Sequence, residues 1–284
     1  MSPVNSNRIA LWGPSGVGKT TLIRALACEL SWLNRNNPDF SYELTGPDGQ
    51  SIRNFWTDEY SEPTKSPEDF LYTFRRVNPG LATPLVEHQI VIFDDKGNSL
   101  IRSFDSDFNR ITELSLRDAR FVIAIIDPTL ILETQRISLI DTSTAPSITK
   151  SDYLNYLRRL LSLMGQNNKE RRYLAICLSK MDLFELRWQN PKVLAELFFG
   201  ETFLHDIDWQ VAKNISIQYF STSAMGFVWD NNYNEFPNFD IGTGLPKFKY
   251  EWRPWNITAP FFWMFSQIET QETGRSSNYP APFY

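Results

Sequence analysis

Residues 13–20 read Gly-Pro-Ser-Gly-Val-Gly-Lys-Thr, which meets every fixed position of the spacing G-x-x-x-x-G-K-[ST]. Just before it, residues 8–12 read as a short buried strand. Just after it, Leu22, Ile23, Leu26, Ala27, Leu30 and Leu33 recur at helical spacing. Strand, glycine loop and helix in that order constrain the chain more than any other feature. The glycines let backbone N–H groups turn inward around an anion, and the helix N-terminus behind them adds a favourable field. A phosphate cradle is therefore expected from Gly13, Pro14, Ser15, Gly16, Val17, Gly18, Lys19, Thr20 and Thr21. Lys19 is placed to reach the β- and γ-phosphates of a nucleotide, and the Thr20 hydroxyl to meet Mg²⁺. The loop does not choose among ATPases, kinases and GTPases, which share it.

The 284 residues suit one large α/β domain or two small ones, and 42% hydrophobic residues suffice for a core. Net charge is −5 and no basic stripe occurs, so the sequence gives no support for a nucleic-acid partner. The first eight residues are polar, and the longest aliphatic run, 122–126, is far too short to cross a bilayer. No lipidation motif stands at either end, so no membrane anchor is expected. Cys28 and Cys177 lie far apart in apolar segments and read as small buried hydrophobes, which places the chain in a reducing, cytoplasmic setting. His88 and His205 have no ligand partners at metal-binding spacing.

Further along, 34–69 is polar and rich in Pro and Gly, and reads as a long functional loop with at most fragments of structure. Residues 70–77 and 85–93 read as two strands joined by the turn Asn78-Pro79-Gly80, hence an antiparallel hairpin. Strands are also expected at 120–127, 173–178 and 217–221, and helices at 104–119, 151–165, 193–199 and 259–269. The segment 128–150 gives no clear pattern, and 226–256 is irregular and aromatic-rich. Its aromatics Trp229, Tyr233, Phe236, Phe239, Trp252 and Trp255 read as anchors of a long insertion, with a partner surface as the alternative. The expected fold is one α/β domain over 8–270: a mostly parallel, doubly wound sheet with one antiparallel hairpin edge. Residues 1–7 are expected to be a flexible N-terminus and 271–284 a disordered tail. Ligands on such sheets bind beyond the carboxyl ends of the strands.

Three further motifs fall at such ends. In 90–97, Ile-Val-Ile-Phe-Asp-Asp-Lys-Gly, an apolar strand runs into Asp94, which can hold Mg²⁺ through its water shell, and Gly97 offers an N–H to the γ-phosphate. The bland alternative is a capped turn. In 178–182, Leu-Ser-Lys-Met-Asp, the Asp182 carboxylate can accept from guanine N1–H and the N2 amine together, and Lys180 can lay its alkyl stem along the base. The alternative there is a solvated loop. In 221–226, Ser-Thr-Ser-Ala-Met-Gly, small residues let backbone N–H groups approach a base oxygen.

Taken in order, these four resemble the motifs of the TRAFAC class of GTPases, which includes Ras-like and translation GTPases. Residues 13–20 look like its phosphate loop, 94–97 like the D-x-x-G of its second switch, 179–182 like N/T-K-x-D, and Ser223 with Ala224 like its S-A base loop. The stretches 118–128, DARFVIAIIDP, and 253–265, RPWNITAPFFWMF, look like those of bacterial double-GTPase-type domains. The resemblance implies a phosphate-loop GTPase domain that binds GTP or GDP with Mg²⁺ and acts as a molecular switch, slow by itself and working with an effector or activating protein. It implies Lys19, Gly97 and Asn98 at the reaction, Thr20, Thr64 and Asp94 around the metal, and Ser179, Lys180, Asp182, Ser223 and Ala224 at the base. Thr64 lies in EPTKSPED before the hairpin, with Thr57 as the second choice. The pattern departs from the class at three positions. Ser179 replaces Asn or Thr, Asn98 stands where Ras-type enzymes have a water-orienting Gln, and Ser15 where they have Gly. A non-hydrolysing nucleotide-binding scaffold and a phosphate-loop ATPase are the alternatives.

Overall fold

The computed structural model describes residues 8–13, 17–36, 41–46, 70–77, 86–92, 116–130, 150–165, 170–184, 189–201, 204, 205, 207, 214–231, 234–240, 246–248 and 252–273. A sheet of seven strands carries the fold. The strands are β1 (Arg8–Trp12), β2 (Ser41–Thr45), β3 (Phe70–Val77), β4 (Val86–Ile92), β5 (Phe121–Ile126), β6 (Arg172–Leu178) and β7 (Ile215–Ser221), in the order β2-β3-β4-β1-β5-β6-β7. β4, β1, β5, β6 and β7 are parallel, while β3 pairs antiparallel with both β4 and β2. The architecture is thus the expected α/β domain with a mostly parallel sheet and an antiparallel edge. Every side chain of β5 and β6 is buried, as strands covered on both faces require.

The helices are α1 (Lys19–Asn36), α2 (Lys150–Gly165), α3 (Pro191–Phe199) and α4 (Thr258–Thr273). Ring contacts show which face each covers. Phe265 of α4 stacks on Phe74 and His88, at 4.2 and 4.4 Å between centroids. His88 and Ile90 share a face of β4, and Ile90 is paired with Ile9 of β1, so Ile9 lies on that face too. Trp12, three residues later, points to the other face, where it stacks on Tyr156 of α2 at 4.0 Å. The sheet is therefore doubly wound, with α4 on one side and α2 on the other. α1 lies beside α4 and buries Leu22, Ile23, Leu26 and Leu30. His88 is a buried core ring stacked between aromatics.

Several features differ from the sequence reading. The long polar loop contains strand β2, whose Tyr42 and Leu44 are buried in strict alternation. Five alternating residues flanked by Pro and Gly carry too little pattern to be read as a strand. Asn34 at the end of α1 fixes it, donating to Tyr42 O and accepting from Tyr42 N, both at 2.7 Å. The expected hairpin forms in register, with Phe74 opposite His88. However, β4 is interior, between β3 and β1, and it is β2 that forms the edge. At the other end, α4 runs to Thr273, past the helix end expected at 269. Of the helix expected at 104–119, residues 116–119 lie among the described residues, and 116–118 are helical.

The start of α4 is held by an acid from α1. Glu29 is largely buried, and its carboxylate accepts the backbone N–H of Thr258, with those of Ile257 and Asn256 beside it. Burial, opposed by these N–H groups, pushes its carboxyl up from 4.5 to about 7. The folded chain therefore keeps this proton over a range where the unfolded chain has lost it. Stability from Glu29 is full below about pH 4.5 and falls as pH rises toward 7. Relative to Glu29→Gln, the wild type is expected to lose up to about 3 kcal/mol across that window. Urea unfolding of both proteins from pH 5 to 8 measures this, and a pH-independent difference would refute it.

Candidate functional site

Because five strands run parallel, the segments after β1, β5, β6 and β7 emerge at one edge of the sheet. Those segments are 13–18, 127–130, 179–183 and 222–226. Neighbouring strands are about 4.8 Å apart, so β6 and β7 stand roughly 10 and 14 Å from β1. That is the span of a nucleotide laid from its phosphates to its base.

At the phosphate end, Gly13 leaves β1 pressed against β5. A Cβ on Gly13 would lie 2.8 Å from the Ile125 carbonyl oxygen and 2.9 Å from Val17, so only hydrogen fits. Gly18 has φ +93°, in the left-handed region that favours glycine. It hands the chain directly to α1, where Leu22 N–H bonds the Gly18 carbonyl at 2.8 Å. Lys19 and Thr20 thus form the first turn of α1. Lys19 is buried, and its ammonium donates to Gly13 O at 2.8 Å. It closes the loop on itself and keeps its charge beside the cradle. Pro14, Ser15 and Gly16 lie outside the described residues, as do Thr64, Asp94, Gly97 and Asn98. Lys19→Ala is expected to weaken triphosphate binding by about ten- to a hundredfold, since it removes a charge-assisted contact. Calorimetry checks this, and unchanged affinity would mean that the loop is not the phosphate site.

The ends of β6 and β7 are more tightly built than the sequence suggested. After β6, Ser179 is buried and donates to Ile126 O twice, through its N–H at 2.8 Å and its hydroxyl at 2.9 Å. Its side chain ties β6 to β5. Lys180 follows in the left-handed region, at φ 56°, and its ammonium meets the carboxylate of Asp127. Met181–Leu183 form a single 3-10 turn. Within it Asp182 is only 6% exposed, and its Oδ1 accepts from Ser223 Oγ at 2.5 Å. Ser223 Oγ in turn accepts the N–H of Gly226 at 2.8 Å, so its own proton goes to Asp182. The 179–182 and 221–226 segments are further stitched by Met181 N–H to Thr222 O, and by Thr222 N–H to Leu178 O.

The structure assigns Ser223 a use that sequence reasoning missed. Its N–H donates to Trp255 O at 3.0 Å, with Trp255 N–H returning to Ser223 O at 2.8 Å. The side chain orients Asp182, donating to its Oδ1 while accepting from Gly226 N–H. No sequence signal announced this, because residue 255 is remote in the chain. Ala224 contributes its carbonyl, which accepts from Trp252 Nε1 at 2.8 Å. The segment 252–258 is therefore a strap behind residues 221–226. Arg253 stacks over Trp32 of α1, and Asn256 Nδ2 donates to Ser221 O at 2.8 Å. Trp252 and Trp255 serve as anchors, as expected, whereas Trp229 on the small hairpin β8 (Phe227–Trp229) and β9 (Glu235–Pro237) is 50% exposed.

Of the candidate metal ligands, Thr20 is the one among the described residues. No group of three or more His, Cys, Asp or Glu able to hold a metal occurs among the described residues. A single hydroxyl beside a phosphate cradle suits Mg²⁺, which is characteristically held by one or two protein oxygens together with substrate phosphates and water. Among the described residues, no helix is long and apolar enough to cross a membrane.

A family model, that of the ATPase family associated with various cellular activities (AAA), matches residues 9–67, which contain β1, the glycine loop, α1 and β2. Comparison with curated proteins finds no match. Among solved structures, the chain is similar to the signal recognition particle receptor SRb-GTP/SRX complex from Chaetomium thermophilum. Identity is 16% over 78% of this chain and 92% of that one, with a TM-score of 0.41. It is also similar to the S. cerevisiae Ski7 GTPase-like domain bound to GTP, at 16% identity over 75% of this chain and 42% of that one, TM-score 0.36. A third is a GTP-binding protein from Sulfolobus solfataricus in complex with GDP, at 15% identity over 76% and 46%, TM-score 0.32. The chain thus spans less than half the length of the latter two. The glycine loop between β1 and α1, on a sheet of this order, is the phosphate-loop NTPase arrangement.

Proposed function

We propose that the chain is a Mg²⁺-dependent GTP-binding and GTP-hydrolysing molecular switch of the TRAFAC class, most similar to the bacterial double-GTPase-type domains. The observation that carries this reading is Asp182. Its buried carboxylate is oriented by Ser223 at the edge of the sheet, two strands from the phosphate loop. A carboxylate there accepts from two guanine donors, whereas adenine lacks that pair. Lys19 would leave Gly13 O for the β- and γ-phosphates. Thr20 would hold Mg²⁺, with Thr64 and Asp94, which lie outside the described residues, completing its surroundings. Mg²⁺ supplies charge neutralisation on the phosphates when bound. Gly97 and Asn98, also outside the described residues, would meet the γ-phosphate and the attacking water. Water adds to the γ-phosphorus, the bond to the β-phosphate oxygen breaks, and GDP and phosphate leave. An effector or activating protein, in a cytoplasmic setting, would read the two nucleotide states.

A phosphate-loop ATPase is the second reading, favoured by the family match over residues 9–67. Equilibrium titration with GTP and ATP separates the two, and preference for ATP would overturn the proposal. Single-turnover assays then test hydrolysis. Asn98 carries its amide on a shorter arm than Gln, so unassisted turnover is expected on the order of 10⁻⁴ s⁻¹. Absence of any hydrolysis would leave a binding scaffold. A rate above about 1 s⁻¹ would remove the need for an activator.

A further inference from the structure

The reading above leaves one buried acid at the sheet edge without a task. Asp127 follows β5 and is fully buried. Its Oδ1 accepts from Thr129 twice, through the N–H at 2.9 Å and the hydroxyl at 2.6 Å. With that oxygen fixed, Oδ2 faces the Lys180 ammonium at 2.5 Å. The lysine side chain is 42% exposed, so an exposed cation has been drawn down onto a buried anion. The backbone of Lys180 is also unusual. Lys180 has φ 56° and ψ 32°, a conformation that a residue with a Cβ adopts at a cost. Just before it, Ser179 bonds twice to Ile126 O, the carbonyl next to Asp127. Residues 126–129 therefore grip 179–180 through backbone, hydroxyl and ion pair. Two residues further on stands Asp182.

We propose that Asp127 is a positioning residue of the nucleobase site and acts through Lys180. By holding the ammonium it keeps the lysine stem laid out as an apolar surface for the base. It also maintains the left-handed turn that presents Asp182 to the base edge. A flexible lysine would have to be ordered anew at each binding event, whereas a pinned one is already in place. Asp127 touches neither base nor phosphate in this arrangement. The inference rests on the base-site reading proposed above.

The test measures GTP and inorganic tripolyphosphate binding by calorimetry on the wild type, Asp127→Asn, Lys180→Met and the double variant. Tripolyphosphate occupies the phosphate loop without a base, so it reports general damage. Asp127→Asn is expected to weaken GTP by about tenfold. Tripolyphosphate affinity should remain within about threefold. The double variant should bind GTP no worse than Lys180→Met alone, because the two changes break one link. Wild-type GTP affinity in Asp127→Asn overturns the inference. So do equal losses for GTP and tripolyphosphate, or losses that multiply in the double variant. Should Asp127→Asn not fold, Lys180→Met decides. It keeps an apolar stem and loses only the pin, and wild-type GTP affinity there overturns the inference. A wild type that binds no guanine nucleotide overturns the base-site reading itself, and this inference with it.

Discussion

Asp182→Asn is expected to exchange GTP for XTP as the preferred nucleotide. In the proposed role the carboxylate offers acceptors to guanine N1–H and to the N2 amine, and charge-assisted bonds of this kind contribute about 1.5–3 kcal/mol each. The structure also fixes how the amide would sit. Ser223 Oγ accepts from Gly226 N–H, so it presents its proton to residue 182. The Asn oxygen would take that proton, and the NH₂ would stand where Oδ2 now stands. A donor then meets the guanine amine, another donor, and GTP affinity should fall on the order of a hundredfold. Xanthine carries a carbonyl at that position and accepts from the new amide. Competition binding with GTP, ATP and XTP on both proteins decides the matter. Equal losses for all three would make Asp182 structural.

Gly226→Ala is expected to have the largest effect on stability of any glycine-to-alanine change described here. Gly226 has φ +72°, and a Cβ there would lie 1.7 Å from the Arg253 carbonyl oxygen and 2.6 Å from its carbonyl carbon. Those are backbone atoms of the strap, so no side chain can turn aside. The left-handed conformation adds strain of roughly 1–3 kcal/mol. A total loss of at least about 3 kcal/mol is expected in urea unfolding. Because Gly226 N–H holds Ser223 Oγ, which orients Asp182, guanine affinity should fall as well. Gly165, where a Cβ meets nothing within 4 Å, is the control: Gly165→Ala should stay within about 1 kcal/mol. Comparable losses at both positions would show that the tight contact at Gly226 is not what matters.

The sequence by itself determined whatever depends on neighbours along the chain. Residues 13–20 announced their loop because a cradle of consecutive N–H groups needs glycines at fixed spacing, and the loop leads directly into a helix whose stripe was also readable. β5 and β6 were legible as continuous apolar runs, since a strand covered on both faces can carry little else. Lys180 and Asp182 were found as candidates from local spacing at a strand end. What only the tertiary structure decided are the partners far away in sequence. Asp182 is aimed by Ser223, 41 residues later, and Ser223 is clamped by Trp255. Lys180 is held by Asp127, and Glu29, its carboxyl raised by burial, accepts the N–H groups at the start of α4. Strand β2 went unseen because five alternating residues between prolines and glycines carry too little pattern, and it forms because β3 and Asn34 supply its bonds. Periodicity is a one-dimensional signal and reports burial. The orientation of a buried polar group depends on which strand ends fold together, and that is set by the order of the sheet.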